Sequence, residues 1–346
     1  MEKMGMFRNE NKVALHCRKV LIDPEPKSLF PEWLRFLKGV VDSSDLPLNV
    51  SREVMQDSEL LRKLNQVLTK RFLRFLNEQS KKESETYLEF WKEFGILIKE
   101  GAATDFTYKE DLAKLLRFES TALEPGKLTG LDEYIDRMAK DQKEILFLFG
   151  KSRESIEAGP YLEALKARSL EVLLLTEPVD EYVMQSVREY KEKKIISADS
   201  EELKLEKLDE EPEGKAMNKK DTKSLCKWLK ETLKDKVSEV ETGERLIDSP
   251  VCIVGADGMG GASARRVMKM MQGGDDAMPA SPVKLQVNQR HPIMKGLSNL
   301  VKADKDTAEL IANQLLDNAL ATANLLDDPR DMIARSYQAI EKLAKQ

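Results

Sequence analysis

Hydrophobic positions change their spacing several times along the chain, and each change predicts a new kind of element. KVALHCRKVLI, residues 12–22, alternates apolar and polar positions and carries enough β-branched residues to predict one strand. Little precedes it to pair with, so it reads as the end of a larger sheet. PEWLRFLKGVV reads as a short helix. Leu61, Leu64, Leu68, Phe72, Phe75 and Leu76 then recur at helical spacing, predicting a long helix with one buried stripe. ETYLEFWKEFGILIKEGA and KEDLAKLLRFES continue this helical region.

The period then shortens. EILFLF, EVLLLT and KIISAD are brief apolar runs separated by helical stretches, which predicts a small parallel βαβαβ sheet. Residues 201–220 are charged, poor in aromatics and punctuated by Pro212 and Gly214, as an exposed linker would be. A helix, two strands, a glycine-rich turn with its helix, a further strand and three terminal helices follow. The expected fold class is α/β and α+β: a helical segment and a small parallel βαβαβ domain, then an α+β domain ending in a helical hairpin. The expected boundaries are a helical connector over 57–138, the small α/β part over 139–200, the linker over 201–220 and the terminal domain over 221–346.

Composition narrows the function. Charged residues make up 34% and apolar residues 41% of 346, which is globular rather than disordered. A net charge of −5 gives no nucleic-acid footprint, and no apolar run has the length of a membrane span. Three scattered cysteines have neither disulfide nor metal-ligand spacing, and two histidines leave little scope for histidine-based catalysis.

Two phosphate-loop likenesses fail on spacing. VCIVGADGMGGASARR places Gly255, Gly258, Gly260 and Gly261 off the dinucleotide pattern. Gly150-Lys151-Ser152 follows a strand, but the earlier glycine it needs would fall at Ile145, so Ser152 reads as a helix N-cap. His291, before Pro292, reads as a turn residue. Around residue 268 five of the 14 methionines fall within 20 residues. Met259, Val267, Met268, Met270 and Met271 suit either core packing or an adaptable partner-binding surface. In DTAELIANQLLDNALATANLL, Ile311, Leu315, Ala319 and Ala323 form one stripe, while Leu316 and Leu320 begin another. That coverage predicts burial on two sides, either against the chain's own sheet or in a four-helix bundle with a second copy.

SSDLPLNVSREVMQ raises a separate question. Pro47 stiffens the loop and Ser51 suits an N-cap, so Arg52 stands at the positive end of a helix dipole. Such a cation is either incidental surface or is placed to meet an anion from elsewhere.

The segment VLIDPEPKSLFPEWLRFLKGVVDSSDLPLNVSREVMQ resembles the middle domain of the ninety-kilodalton heat-shock chaperones. So do LAKLLRFES, LTGLDEYIDRM, PYLEALKARSLEVLLLTEPVDEY and ANLLDDPRDMIAR, and the similarity covers essentially the whole chain. The resemblance implies that residues 1–56 end a large middle subdomain and that Leu46–Gln56 is its catalytic loop. Arg52 would then meet the γ-phosphate of ATP, with Asn49 and Gln56 as accompanying polar residues. It implies a chaperone that binds partly folded clients through the methionine segment. It also implies a homodimer built through Ile311, Leu315, Ala319, Leu320 and Ala323. No counterpart of the family's ATPase domain is seen, so no cofactor and no enzymatic activity are expected of this chain alone. ATP and Mg would belong to the full-length protein. The ending IEKLAKQ lacks the acidic tail that holds helical-repeat co-chaperones, which points to the bacterial and mitochondrial branch and to the cytoplasm, or alternatively the mitochondrial matrix. Neither a nucleic-acid nor a membrane partner is expected. A nucleotide-binding α/β enzyme and a pure dimerisation scaffold are the alternative readings.

Overall fold

The computed structural model describes residues 12–44, 59–82, 84–140, 142–205, 214–243, 245–255, 282–326 and 328–345. Its strands, in chain order, are β1 (Lys12–Cys17), β2 (Val20–Asp23), β3 (Lys38–Asp42), β4 (Phe118–Ser120), β5 (Leu128–Thr129), β6 (Glu144–Phe149), β7 (Leu173–Leu175), β8 (Glu189–Tyr190), β9 (Lys193–Ser197), β10 (Val237–Thr242), β11 (Val251–Val254) and β12 (Val283–Val287). The helices are α1 (Glu59–Lys82), α2 (Ser84–Thr104), α3 (Lys109–Ala113), α4 (Leu131–Arg137), α5 (Arg153–Glu157), α6 (Glu163–Lys166), α7 (Pro178–Val187), α8 (Lys219–Leu233), α9 (Pro292–Ala303), α10 (Lys305–Thr322) and α11 (Arg330–Ala344). Two compact units result. One draws on Met1–Phe118, Leu128–Asp136 and Tyr182–Glu192, the other on Glu119–Lys127, Arg137–Glu181 and Lys193–Gln346.

In the first unit the single strand expected over 12–22 is a hairpin. β1 and β2 pair antiparallel around Arg18 and Lys19, both with positive φ (48° and 69°). A two-residue turn of that hand matches strand twist and normally selects Asn or Gly. Arg-Lys carries no such signal, so periodicity ran straight through it. β1 is not an orphan either, because β3 pairs parallel on its other edge. β3 was expected to be helical. Only Glu32–Leu34 forms a helical turn, and Gly39 (φ 148°) with Val40 and Val41 goes to the sheet.

The long helix α1 buries Leu61, Thr69, Leu73 and Leu76, whereas Phe75 of the expected stripe is 52% exposed. α2 forms as expected and packs Phe94 on Phe36 with ring centroids 4.7 Å apart. The expected helix through KEDLAKLLRFES stops at Ala113. The Arg117 guanidinium donates to the carbonyls of Lys114 and Leu116, closing the backbone there before β4 begins.

In the second unit β7, β6 and β9 lie side by side and parallel, as the sequence predicts. Glu119 and Ser120 of β4 add an antiparallel edge against β7. Ser152 caps α5 in a reciprocal capping box with Ser155, the bland reading of Gly150-Lys151-Ser152. The terminal part holds β10, β12 and β11 in that order, parallel then antiparallel. His291 caps α9, its Nδ1 accepting from the Ile293 N–H at 3.1 Å. One hydrophobic core runs from Leu146 and Leu174 through Leu229 and Ile253 to Leu316.

Charged side chains tie the segment between β10 and β11 into this unit. Arg245 is buried and donates to the carbonyls of Ala198 (2.5 Å) and Leu203 (2.6 Å). The Glu163 carboxylate accepts from the backbone N–H groups of Ile247 (2.8 Å), Asp248 (2.9 Å) and Ser249 (3.1 Å). On β12, Lys284 lies among Glu201, Glu239 and Glu241. Burial pulls the Lys284 pKa down, but Glu201 and Glu241 outweigh it and hold it above the usual lysine range.

Cys252, in β11, is buried, and burial pushes its thiol up to about 12 against the opposing pull of Arg245. The thiol's ordinary value is 9.0, so between that pH and about 12 the folded chain keeps a proton that the unfolded chain releases. Stability therefore falls as pH rises through this window, by up to about 1.4 kcal/mol per pH unit from this group. Urea unfolding followed from about pH 8 upward is expected to show a shallower alkaline loss for Cys252→Ala than for the unaltered chain; equal losses would refute the assignment.

Candidate functional site

The sequence of α10 begins with a strong stop-and-start signal. Asp304 accepts from the Thr307 N–H at 3.0 Å, satisfying one of the free amide groups of the first turn. From there α10 buries Ala308, Ala312, Leu315, Leu316, Asp317 and Ala319. This is the wide coverage expected from its two apolar stripes. At its end Asn324 takes a left-handed conformation (φ 55°), and the Leu325 N–H returns to the Leu320 carbonyl at 2.9 Å. Asparagine tolerates that conformation better than most residues, so the helix stops here and the chain turns back.

α11 then starts from Asp328, whose carboxylate accepts from the Arg330 N–H at 3.0 Å and from its guanidinium at 2.7 Å. The Arg330 side chain, followed by its backbone N–H, holds the Asp328 carboxyl down at about 2. Two side-chain ties join the hairpin. Asp317, buried in α10, pairs with Arg335 of α11, and Lys342 donates to the Thr307 hydroxyl at 2.8 Å.

Yet α11 buries nothing. Ile333 (44%), Tyr337 (68%), Ile340 (57%) and Leu343 (69%) are exposed, and their spacing of four, three and three puts them on one helical face. Four large apolar side chains in a row on one face of this helix are a surface that water does not satisfy. Chemically the site offers apolar area and shape. Among the described residues no group of three or more His, Cys, Asp or Glu is placed to hold a metal, and no helix is long and apolar enough to cross a membrane.

A family model described as Hsp90 protein matches residues 2–346. The chain belongs to the Hsp90 family of chaperones. Chaperone protein HtpG of Desulfotalea psychrophila is 42% identical over 346 residues, covering 99% of this chain and 56% of that protein. Its namesake in Desulfitobacterium hafniense is 44% identical over 343 residues, covering 99% and 55%. Mitochondrial heat shock protein 75 kDa of Bos taurus is 39% identical over 343 residues, covering 96% and 48%. The chain thus spans about half the length of the curated Hsp90 relatives it matches.

Of the residues singled out in this Hsp90-family sequence, Asn49, Arg52 and Gln56 lie outside the described residues, as do Met259, Val267, Met268, Met270 and Met271. The five on α10 and its end are described. Leu315, Ala319 and Ala323 are buried in the protomer's own core, and Ile311 and Leu320 are half-buried against it. Sequence reasoning passed over Ile333, Tyr337, Ile340 and Leu343. Their helical spacing in RDMIARSYQAIEKLA was the available signal.

Asp317 is buried but the Arg335 side chain is partly exposed, so removing the carboxylate leaves a guanidinium that water still reaches. Asp317→Ala is therefore expected to lower urea-unfolding stability by about 1 kcal/mol. Hydrogen exchange should quicken in α11 before it quickens in α8. A loss within experimental error of zero would mean the pair does not hold the hairpin.

Proposed function

We propose that this chain is the client-binding and self-associating part of an Hsp90-type chaperone, and that two copies pair through their terminal hairpins. The observation that carries the pairing is the exposed apolar face of α11. Each hairpin supplies two antiparallel helices, so a two-fold axis brings four together and removes that face from water. The half-buried Ile311 and Leu320 belong at its margin, with Leu315, Ala319 and Ala323 supporting it from within.

Clients are met through Met259, Val267, Met268, Met270 and Met271. The support is compositional: flexible, polarizable side chains gathered between glycines suit partners of varied shape. In the whole protein Arg52, backed by Asn49 and Gln56, would couple this part to ATP hydrolysis. A guanidinium presented from a stiff loop suits the charge on a phosphoryl group supplied by another domain. ATP and magnesium enter only through that wider protein.

Light scattering at micromolar concentration should give twice the 39.4 kDa chain mass. Ile340→Asp with Tyr337→Asp should give the single-chain mass, because each lost apolar contact is worth about 2 kcal/mol and a two-fold interface counts it twice. A single-chain mass for the unaltered protein would end the pairing model. The Arg52 proposal has its own test: in a protein carrying a nucleotide-binding domain, Arg52→Ala should cut ATP turnover about 10³-fold or more, and undiminished turnover would exclude the role.

A further inference from the structure

α8 carries a pattern that neither the hairpin nor client binding uses. Its buried face is Leu225, Leu229 and Leu233, packed into the core of the second unit. On one flank lie Lys219, Lys220, Lys223, Lys227 and Lys230, all exposed. At 100° per residue they fall within about 100° of arc. Like charges three and four residues apart repel, and lysines in the first turn oppose the helix dipole. Little on the helix offsets this. Lys227 meets Glu231 at 3.7 Å with both side chains exposed, and Asp221 is taken by Asn218, which donates to it at 2.6 Å. Among the described residues no carboxylate lies within ion-pair distance of Lys220, Lys223 or Lys230.

We propose that the lysine flank of α8 is a docking surface for an acidic polypeptide segment of a partner protein. The helix is anchored by its leucine face, so the row of ammonium groups is held in a fixed order before any partner arrives. Along the axis Lys223, Lys227 and Lys230 rise by about 6 Å and about 4.5 Å. Alternate side chains of an extended peptide recur at about 6.6 Å, so a continuous run of Asp or Glu can reach successive lysines without folding. The flank contains lysine and no arginine. Rotatable point charges tolerate a flexible acidic strand, whereas forked recognition of phosphates favours arginine. Membrane insertion is disfavoured because the helix has already committed its apolar face to the core.

The test is fluorescence anisotropy of a labelled glutamate-rich peptide of about twelve residues titrated with the full chain. Binding is expected at low salt and should weaken steeply toward physiological ionic strength. Lys220→Glu, Lys223→Glu, Lys227→Glu and Lys230→Glu combined should weaken it about tenfold or more, and the four-fold Lys→Gln variant should fall between. Should the reversed-charge chain fail to fold, the glutamine variant alone decides, and affinity unchanged from the original overturns the proposal. Tighter binding of a single-stranded oligonucleotide or of anionic vesicles than of the peptide, lost in the same variants, overturns the peptide assignment in favour of those partners.

Discussion

Helix α10 turns one side into its own chain's core between Ala308 and Ala319, and the hairpin depends on that burial. Its small residues, Ala308, Ala312 and Ala319, let it lie close to the sheet, while Leu315 and Leu316 fill the core. With α10 committed inward, α11 has only the outer side of α10 to rest on. It is held there by polar ties, Asp317 with Arg335 and Lys342 with Thr307, rather than by its apolar face. That face is therefore left over. Polar contacts thus hold the helix in place while Ile333, Ile340 and Leu343 stand in water, and the proposed pairing rests on that exposed face.

The second unit is bound together in a different way from the hairpin. The loop between β10 and β11 contributes an arginine to carbonyls of residues 198 and 203 and receives a glutamate at three consecutive amides. Asn288 adds a donation to the Ile247 carbonyl at 2.9 Å. Backbone groups of an irregular segment are thereby satisfied by charged side chains, which are stronger partners than neutral ones. This gives one continuous core across the parallel sheet and the terminal strands, although the charged stretch over 201–220 had suggested a break in the chain there. Local composition marks solvent exposure, but it does not report whether the elements on either side share a core.

Much of the architecture was legible. The three parallel strands, the cap at Ser152, the terminal strands and the helical hairpin all follow from short-range rules, since each is set by apolar runs, capping or turn chemistry within a few residues, whereas His291 read as a turn residue and caps α9. The hairpin at Arg18-Lys19 and the strand β3 were not. Both depend on pairing with β1, and the turn residues are ones that local rules read as ordinary. β4 was missed for the same reason, since Glu119 and Ser120 are strand through their pairing with the distant β7. At the hairpin, the breadth of apolar coverage on α10 was readable, and the stripe on α11 was equally present in the letters.

The sequence by itself determined the family, the periodicities, the capped helix ends and the residue types available for each role, because these depend on composition and on neighbours a few positions away. Tertiary structure alone decided which apolar stripe is consumed. Leu315 and Ile340 are both large, aliphatic and at helical spacing. The first is buried and the second stands in water, and no local rule separates them. Burial is a property of what the rest of the chain brings alongside, and that is settled only when the sheet and both helices are in place.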